Sequence, residues 1–240
     1  MLFSMLFSLL TALVSPQAAD AAPGEPATDL STPVVVELFT SQGCPMCPGA
    51  NAFLGELGED EQVIAIAYGV DIWDDYGWSD SYARPEFGDR QRAYVDAGEP
   101  RRVYTPHFVV NGGPDKLRYK PDQIRARIGE AEPLPASAAL NHQAGALALT
   151  LDGPERDTPA EVWLVSYRPG EDVVEIAGGP NAGAEISHFN MARSLTRVGD
   201  WTGGPTEFAM PAPTDGLASV ALVQAGPGGE ILAAARIDPR

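Results

Sequence analysis

Apolar positions fall along this chain in two different rhythms. After an apolar run from Met1 to Val14 and a proline-rich stretch, the first rhythm alternates strand-like and helix-like segments. Val34-Val35-Val36-Glu37-Leu38-Phe39 is a β-branched run suited to a buried strand. Ala50 to Leu57 has good helix formers, with apolar residues at Phe53, Leu54 and Leu57. Val63 to Tyr68 reads as a second buried strand, and Pro85 to Ala97 as a helix with its proline in the first turn. Phe108-Val109-Val110 is a third strand closed by the turn pair Asn111-Gly112. Leu117 to Tyr119 suits a short partner strand, and Pro121 to Glu130 a closing helix. Units alternating in this way predict a sheet covered by helices.

At Glu132-Pro133-Leu134-Pro135 the rhythm changes. Leu147, Leu149 and Leu151 alternate with small residues, and Val162 to Tyr167 is continuous and apolar. Short apolar runs follow at Val173 to Ile176, Ile186 to Phe189, Ser219 to Val223 and Ile231 to Ile237, separated by glycine and proline. That spacing predicts a β-sandwich-like, all-β module. Met191 to Val198 is ambiguous, because Met191, Leu195 and Val198 also suit one helix face. The expected organisation is therefore an α/β domain over residues 34–132 followed by an all-β domain over 136–240.

Charge removes several functions. The 240 residues carry a formal net charge of −17, with 33 acidic and 16 basic side chains. Nucleic acid is excluded as a partner, because its binding rests on basic residues that neutralise phosphates. Two cysteines and three histidines are too few for a zinc-finger array or a disulfide-dense scaffold. The N-terminal apolar run, followed by Ala19 and Ala21 in an Ala-x-Ala arrangement, reads as a signal peptide over residues 1–21, cleaved near Ala21. A linker over 22–33 follows, and the expected location is periplasmic or secreted.

The candidate chemistry lies in Cys44-Pro45-Met46-Cys47. This CxxC follows the first strand and is expected to open the first helix. A cysteine there faces unpaired backbone N–H groups and the positive end of the macrodipole, which favour thiolate over thiol. Cys44 is the candidate nucleophile, and Cys47, one helical turn on, the resolving thiol. Far downstream stands Tyr104-Thr105-Pro106-His107-Phe108-Val109-Val110-Asn111-Gly112.

A strand running into CxxC, a helix, and then Thr-Pro before a strand ending in Asn-Gly resembles the thioredoxin-like superfamily, in its glutaredoxin-like CPxC form. The segments VELFTSQGCPMCPGAN, YGVDIWDDYGWSDSYARPEF, RVYTPHFVVNG and GGPNAGAEISHFNMARSLTRVGDW are similar to one exported bacterial family of undefined role. The resemblance implies a thioredoxin-like fold for 34–132 and a cis Pro106. It also implies that Thr105 and Pro106 position substrate, and that Glu37 accepts a proton from the second cysteine. The function it implies is thiol–disulfide exchange on an exported protein or small thiol. No cofactor is needed, since the Cys44–Cys47 disulfide carries the electrons.

Two other readings of the same residues stay open. One is a structural disulfide in a non-catalytic binding module. The other is a copper(I) chaperone, with Cys44, Cys47 and His107 as soft ligands. The dense aromatic stretch from Tyr68 to Trp78 reads either as a substrate-facing surface or as rings packed on the sheet.

Overall fold

The β-branched run at 34–39 folds as β1 (Val34–Thr40), and a tight turn carries the chain from it into α1 (Cys47–Leu57). Pro48 stands in the first turn of α1, where a missing N–H costs no helical bond. The other expected elements of the first half form close to their predicted limits: β2 (Val63–Gly69), α2 (Pro85–Ala97), β3 (His107–Val110), β4 (Leu117–Arg118) and α3 (Pro121–Gly129). The second half is built of strands, with one short 3-10 turn at Gly179–Asn181: β5 (Ser137–Gln143), β6 (Ala146–Asp152), β7 (Ala160–Glu175), β8 (Glu185–Trp201), β9 (Thr206–Pro211), β10 (Ala218–Gln224) and β11 (Ile231–Ile237). This computed structural model describes residues 32–98, 102–113, 117–214 and 216–239. The leader expected over 1–21 and most of the linker expected over 22–33 lie outside the described residues.

The expected division into a thioredoxin-like α/β domain and a separate all-β domain is not what the chain forms. Strands make up 44% of the structure and helices 19%, and eight strands from both halves share one mixed sheet. Its order is β11-β10-β7-β8-β2-β1-β3-β4. The seam is parallel pairing of β2 with β8, in which Ala67 stands opposite Met191. The ambiguous segment Met191 to Val198 is thus strand, part of the 17-residue β8, which pairs antiparallel with the 16-residue β7. Helical spacing at three positions yielded to the pairing available on both sides of β8. Glu132-Pro133-Leu134-Pro135 is an irregular connection inside the contact unit Ser31–Arg240.

Three apolar clusters explain the layers. Val36 and Leu38 of β1 pack with Ala50, Phe53 and Leu54 of α1 and Ile124 of α3, on one face of the sheet. Val35 and Phe39, the alternate residues, pack with Phe87 and Tyr94 of α2 on the other face, continuous with Val165, Val220 and Leu222. A separate three-stranded sheet, β5-β6-β9, closes over Val162, Leu164, Ala221 and Val223. The two halves are also tied beyond the sheet. The Asn111 side chain accepts a bond from Val35 N–H at 2.8 Å, while its carbonyl accepts one from Ile231 N–H at 2.9 Å. Gly112 has φ +66 and approaches so closely that a Cβ there would lie 2.4 Å from the Gly229 carbonyl.

Candidate functional site

Cys44 and Cys47 form a disulfide at the end of β1, with their Cα atoms 5.3 Å apart. The helix begins at Cys47, so Cys44 lies in the preceding turn rather than opening α1 as the sequence suggested. The turn is hydrogen-bonded within itself: Cys44 N–H donates to Ser41 O and Cys47 N–H to Cys44 O, each at 3.1 Å. Cys44 is 1% exposed and Cys47 fully buried, whereas Met46 between them is 63% exposed.

Three segments distant in sequence converge on this turn. The Thr105-Pro106 peptide is cis, and the Thr105 hydroxyl accepts a bond at 2.8 Å from the indole N–H of Trp73. Trp73 lies against Gly43, where a Cβ would come within 2.8 Å of the Trp73 Cβ. The same loop fastens Gln42: Trp78 donates to its side-chain oxygen at 2.8 Å, and the buried Asp80 carboxylate accepts its backbone N–H at 2.7 Å. Burial pushes the Asp80 carboxyl above its ordinary range, against the backbone bonds it accepts from Gln42, Tyr82 and Ala83. The third segment is the turn joining β7 to β8, from which the Asn181 amide donates to Gln42 O at 2.8 Å and Cys44 O at 3.0 Å. The aromatic loop is therefore neither a free surface nor simply packed on the sheet. Two of its indoles brace the site, and Tyr76, tilted against Trp73 with ring centroids 5.2 Å apart, is 63% exposed.

Glu37, the expected proton acceptor, is not brought to the cysteines. Alternation along β1 aims it at the α2 face, with Val35 and Phe39, while Val36 and Leu38 face α1. There its carboxylate accepts two bonds from Arg90, at 2.5 and 3.0 Å, and one from the Tyr94 hydroxyl at 2.5 Å. Arg90 also donates to Gln224 of β10 at 3.1 Å, so the network spans β1, α2 and β10. Burial holds the Tyr94 hydroxyl well above its ordinary range. A cavity of 310 Å³ lies beside this network, lined by Arg90, Tyr94, Trp163, Leu195 and Gln224, on the face away from α1.

His107, the third soft ligand of the copper reading, packs among aromatic rings. His107 pairs in register with Phe39, on the α2 face, and its ring lies 5.6 Å from Phe39 and 4.8 Å from Tyr104. Among the described residues no group of three or more His, Cys, Asp or Glu side chains is arranged to hold a metal ion. Asp74 accepts Asp80 N–H at 3.1 Å.

Trp73 lies in the aromatic stretch that one sequence reading makes a substrate-facing surface, whereas Asp80 and Asn181 have no role in that reading. The signal was faint but present. Asn181 sits in the glycine- and proline-containing run Gly178-Gly179-Pro180-Asn181-Ala182-Gly183, where Asn is a common turn residue. Phe189 and Asn190 belong to the same arrangement, because they cover the back of α1. A Cβ at Gly55 would come within 2.7 Å of the Phe189 ring, and one at Gly58 within 2.9 Å of the Asn190 amide. His188, between them and the turn, is buried against Tyr82 and bonds Ile186 O through Nδ1 at 3.0 Å. Burial pulls its pKa down to about 4.

A family model described as "Protein of unknown function (DUF1223)" matches residues 35–224, across both halves of the chain. No thioredoxin-like family is shown. The X-ray crystal structure of protein AGR_C_4864 from Agrobacterium tumefaciens is similar, with a TM-score of 0.72 and 26% sequence identity. The alignment covers 88% of this chain and 96% of that one. Comparison with curated proteins finds no match.

Proposed function

We propose that this chain, which belongs to the DUF1223 family, is a thiol–disulfide oxidoreductase working through Cys44 and Cys47. One observation carries the reading. The disulfide closes a loop too short to constrain much of the unfolded chain. Yet the turn that holds it is braced from three distant segments, through Thr105, Asp80 and Asn181. Such investment in geometry suits a bond that is made and broken. The apolar N-terminal run supports an oxidising compartment outside the cytoplasm, and an exported protein or small thiol as the substrate.

The exchange balances without a cofactor. A substrate thiolate attacks the Cys44 sulfur, the Cys44–Cys47 bond breaks, and Cys47 leaves as thiolate. A second substrate thiolate then attacks the substrate sulfur of the mixed disulfide and releases the Cys44 thiolate. The substrate dithiol loses two electrons and becomes a disulfide, while the protein gains them as a dithiol. Its two thiol protons pass to solvent or to the new thiolates. The reverse sequence reduces a substrate disulfide, and the reduction potential decides the direction. In this reading cis-Pro106 and Thr105 position the substrate chain beside Cys44. Glu37 takes no part.

Near-complete burial of both sulfurs favours one competing reading, a static disulfide. A dithiothreitol-recycled assay on a peptide closed by one disulfide separates the two. Turnover above the dithiothreitol background that is lost in Cys44→Ser supports exchange. A rate equal to background in the parent protein refutes it.

A further inference from the structure

We propose that Asn51 is the group that stabilises the Cys47 sulfur as a thiolate when the disulfide opens. The proposal rests on the exchange reading, in which Cys47 is the leaving group in one direction and the resolving thiolate in the other.

The placement follows from helix geometry. Cys47, Ala50, Asn51 and Leu54 form the buried stripe of α1. Asn51 is one turn beyond Cys47, and helical side chains lean back over the turn on their N-terminal side. That lean carries the Asn51 side chain back toward the turn that begins at Cys47. One end of it is fixed, because the buried Thr40 hydroxyl donates to Asn51 Oδ1 at 2.7 Å. The other end is unused: Nδ2 is buried and has no hydrogen-bond partner among the described residues. An unpaired buried donor costs stability and calls for an explanation. A neutral disulfide sulfur is a weak acceptor, whereas the thiolate left by its cleavage is charged and fully buried.

Two of the first-turn positions at this helix end offer no free amide. Cys47 N–H is already bonded to Cys44 O, and Pro48 has no N–H. The α1 sequence, CPGANAFLGEL, has no cationic side chain. Glu37, the buried carboxylate of β1, faces the opposite side of the sheet. The Asn51 amide is the buried side-chain donor placed to receive the charge.

The test uses the full chain with Cys44→Ser, which leaves Cys47 as its one thiol. Thiolate absorbance near 240 nm, followed from acid to alkaline pH, gives the Cys47 pKa with no exchange substrate present. Asn51→Leu and the smaller Asn51→Ala are expected to raise that pKa by about one unit or more, a tenfold lower thiolate fraction at neutral pH. Asn51→Asp, isosteric but without the donor and carrying a charge, is expected to raise it further. Circular dichroism identifies the variants that fold, and either neutral variant suffices. A pKa within about 0.3 units of the parent in a folded neutral variant overturns the proposal. Because this readout needs no turnover, it stands or falls separately from the activity assay.

Discussion

Replacing Arg90 by Met removes the cation from a carboxylate that has no water to fall back on. Glu37 is fully buried, and with its two bonds from Arg90 gone the Tyr94 hydroxyl still donates to it. Breaking one side of a buried ion pair costs about 3–5 kcal/mol, because the remaining charge stays desolvated. Gln224 also loses its Arg90 partner and retains bonds to Tyr94 and Gly229. Against a total stability of roughly 5–15 kcal/mol, the loss is about a fifth or more. Urea unfolding followed by circular dichroism, with the disulfide kept oxidised, measures it as a fall in midpoint. The double variant Glu37→Met/Arg90→Met should recover a large part of the loss, since it buries no unpaired charge. Because the network bolts β1 and α2 to β10, parent and variants should each unfold in one transition. A loss under about 1 kcal/mol in Arg90→Met, or strict additivity in the double variant, refutes the reasoning.

Other outcomes follow from the same structure. Gly55→Ala would ordinarily strengthen a helix by about 1 kcal/mol. Here its Cβ meets the Phe189 ring at 2.7 Å, so the urea midpoint should fall, and a rise would show that β8 does not seat on α1 as described. Trp73→Phe keeps the ring but loses the bond to Thr105, worth about 1 kcal/mol. Dithiothreitol should then open the disulfide about fivefold faster by thiol trapping, with the equilibrium potential unmoved; an unchanged rate would mean this loop does not control access. His188 has its folded pKa lowered by burial to about 4, so between that value and about 6.5 the unfolded chain binds a proton that the folded chain does not. Stability should therefore fall as pH drops through this window, by roughly 3 kcal/mol in all, and His188→Phe should flatten that part of the pH profile.

Local features were the legible ones. The CxxC, the Thr-Pro before a buried strand, the helices entered through Pro85 and Pro121, and most strand positions are written in short stretches of sequence. Each rests on periodicity or on proline and glycine stereochemistry, which act within a few residues. The seam between the halves was not legible. Pairing of Ala67 with Met191 joins residues more than a hundred positions apart, and nothing local at either one announces the other. The proline pair at 133 and 135 reads the same whether it ends a domain or merely turns a chain. Glu37 shows a different limit. Its burial was foreseeable from the run of valines, but its partner was not. Strand alternation sends it to the α2 face, where Arg90 waits. Asn181 braces the cysteine turn from the far half of the chain, which only the closed sheet makes possible.

The reduction potential of the Cys44/Cys47 pair tests the central claim most directly. The protein is equilibrated in graded glutathione buffers and its free thiols counted by alkylation mass shift. Exchange chemistry predicts a value between roughly −120 and −270 mV, the range of catalytic pairs. A value below about −300 mV would mark a disulfide that the glutathione pool does not open, and would contradict the account.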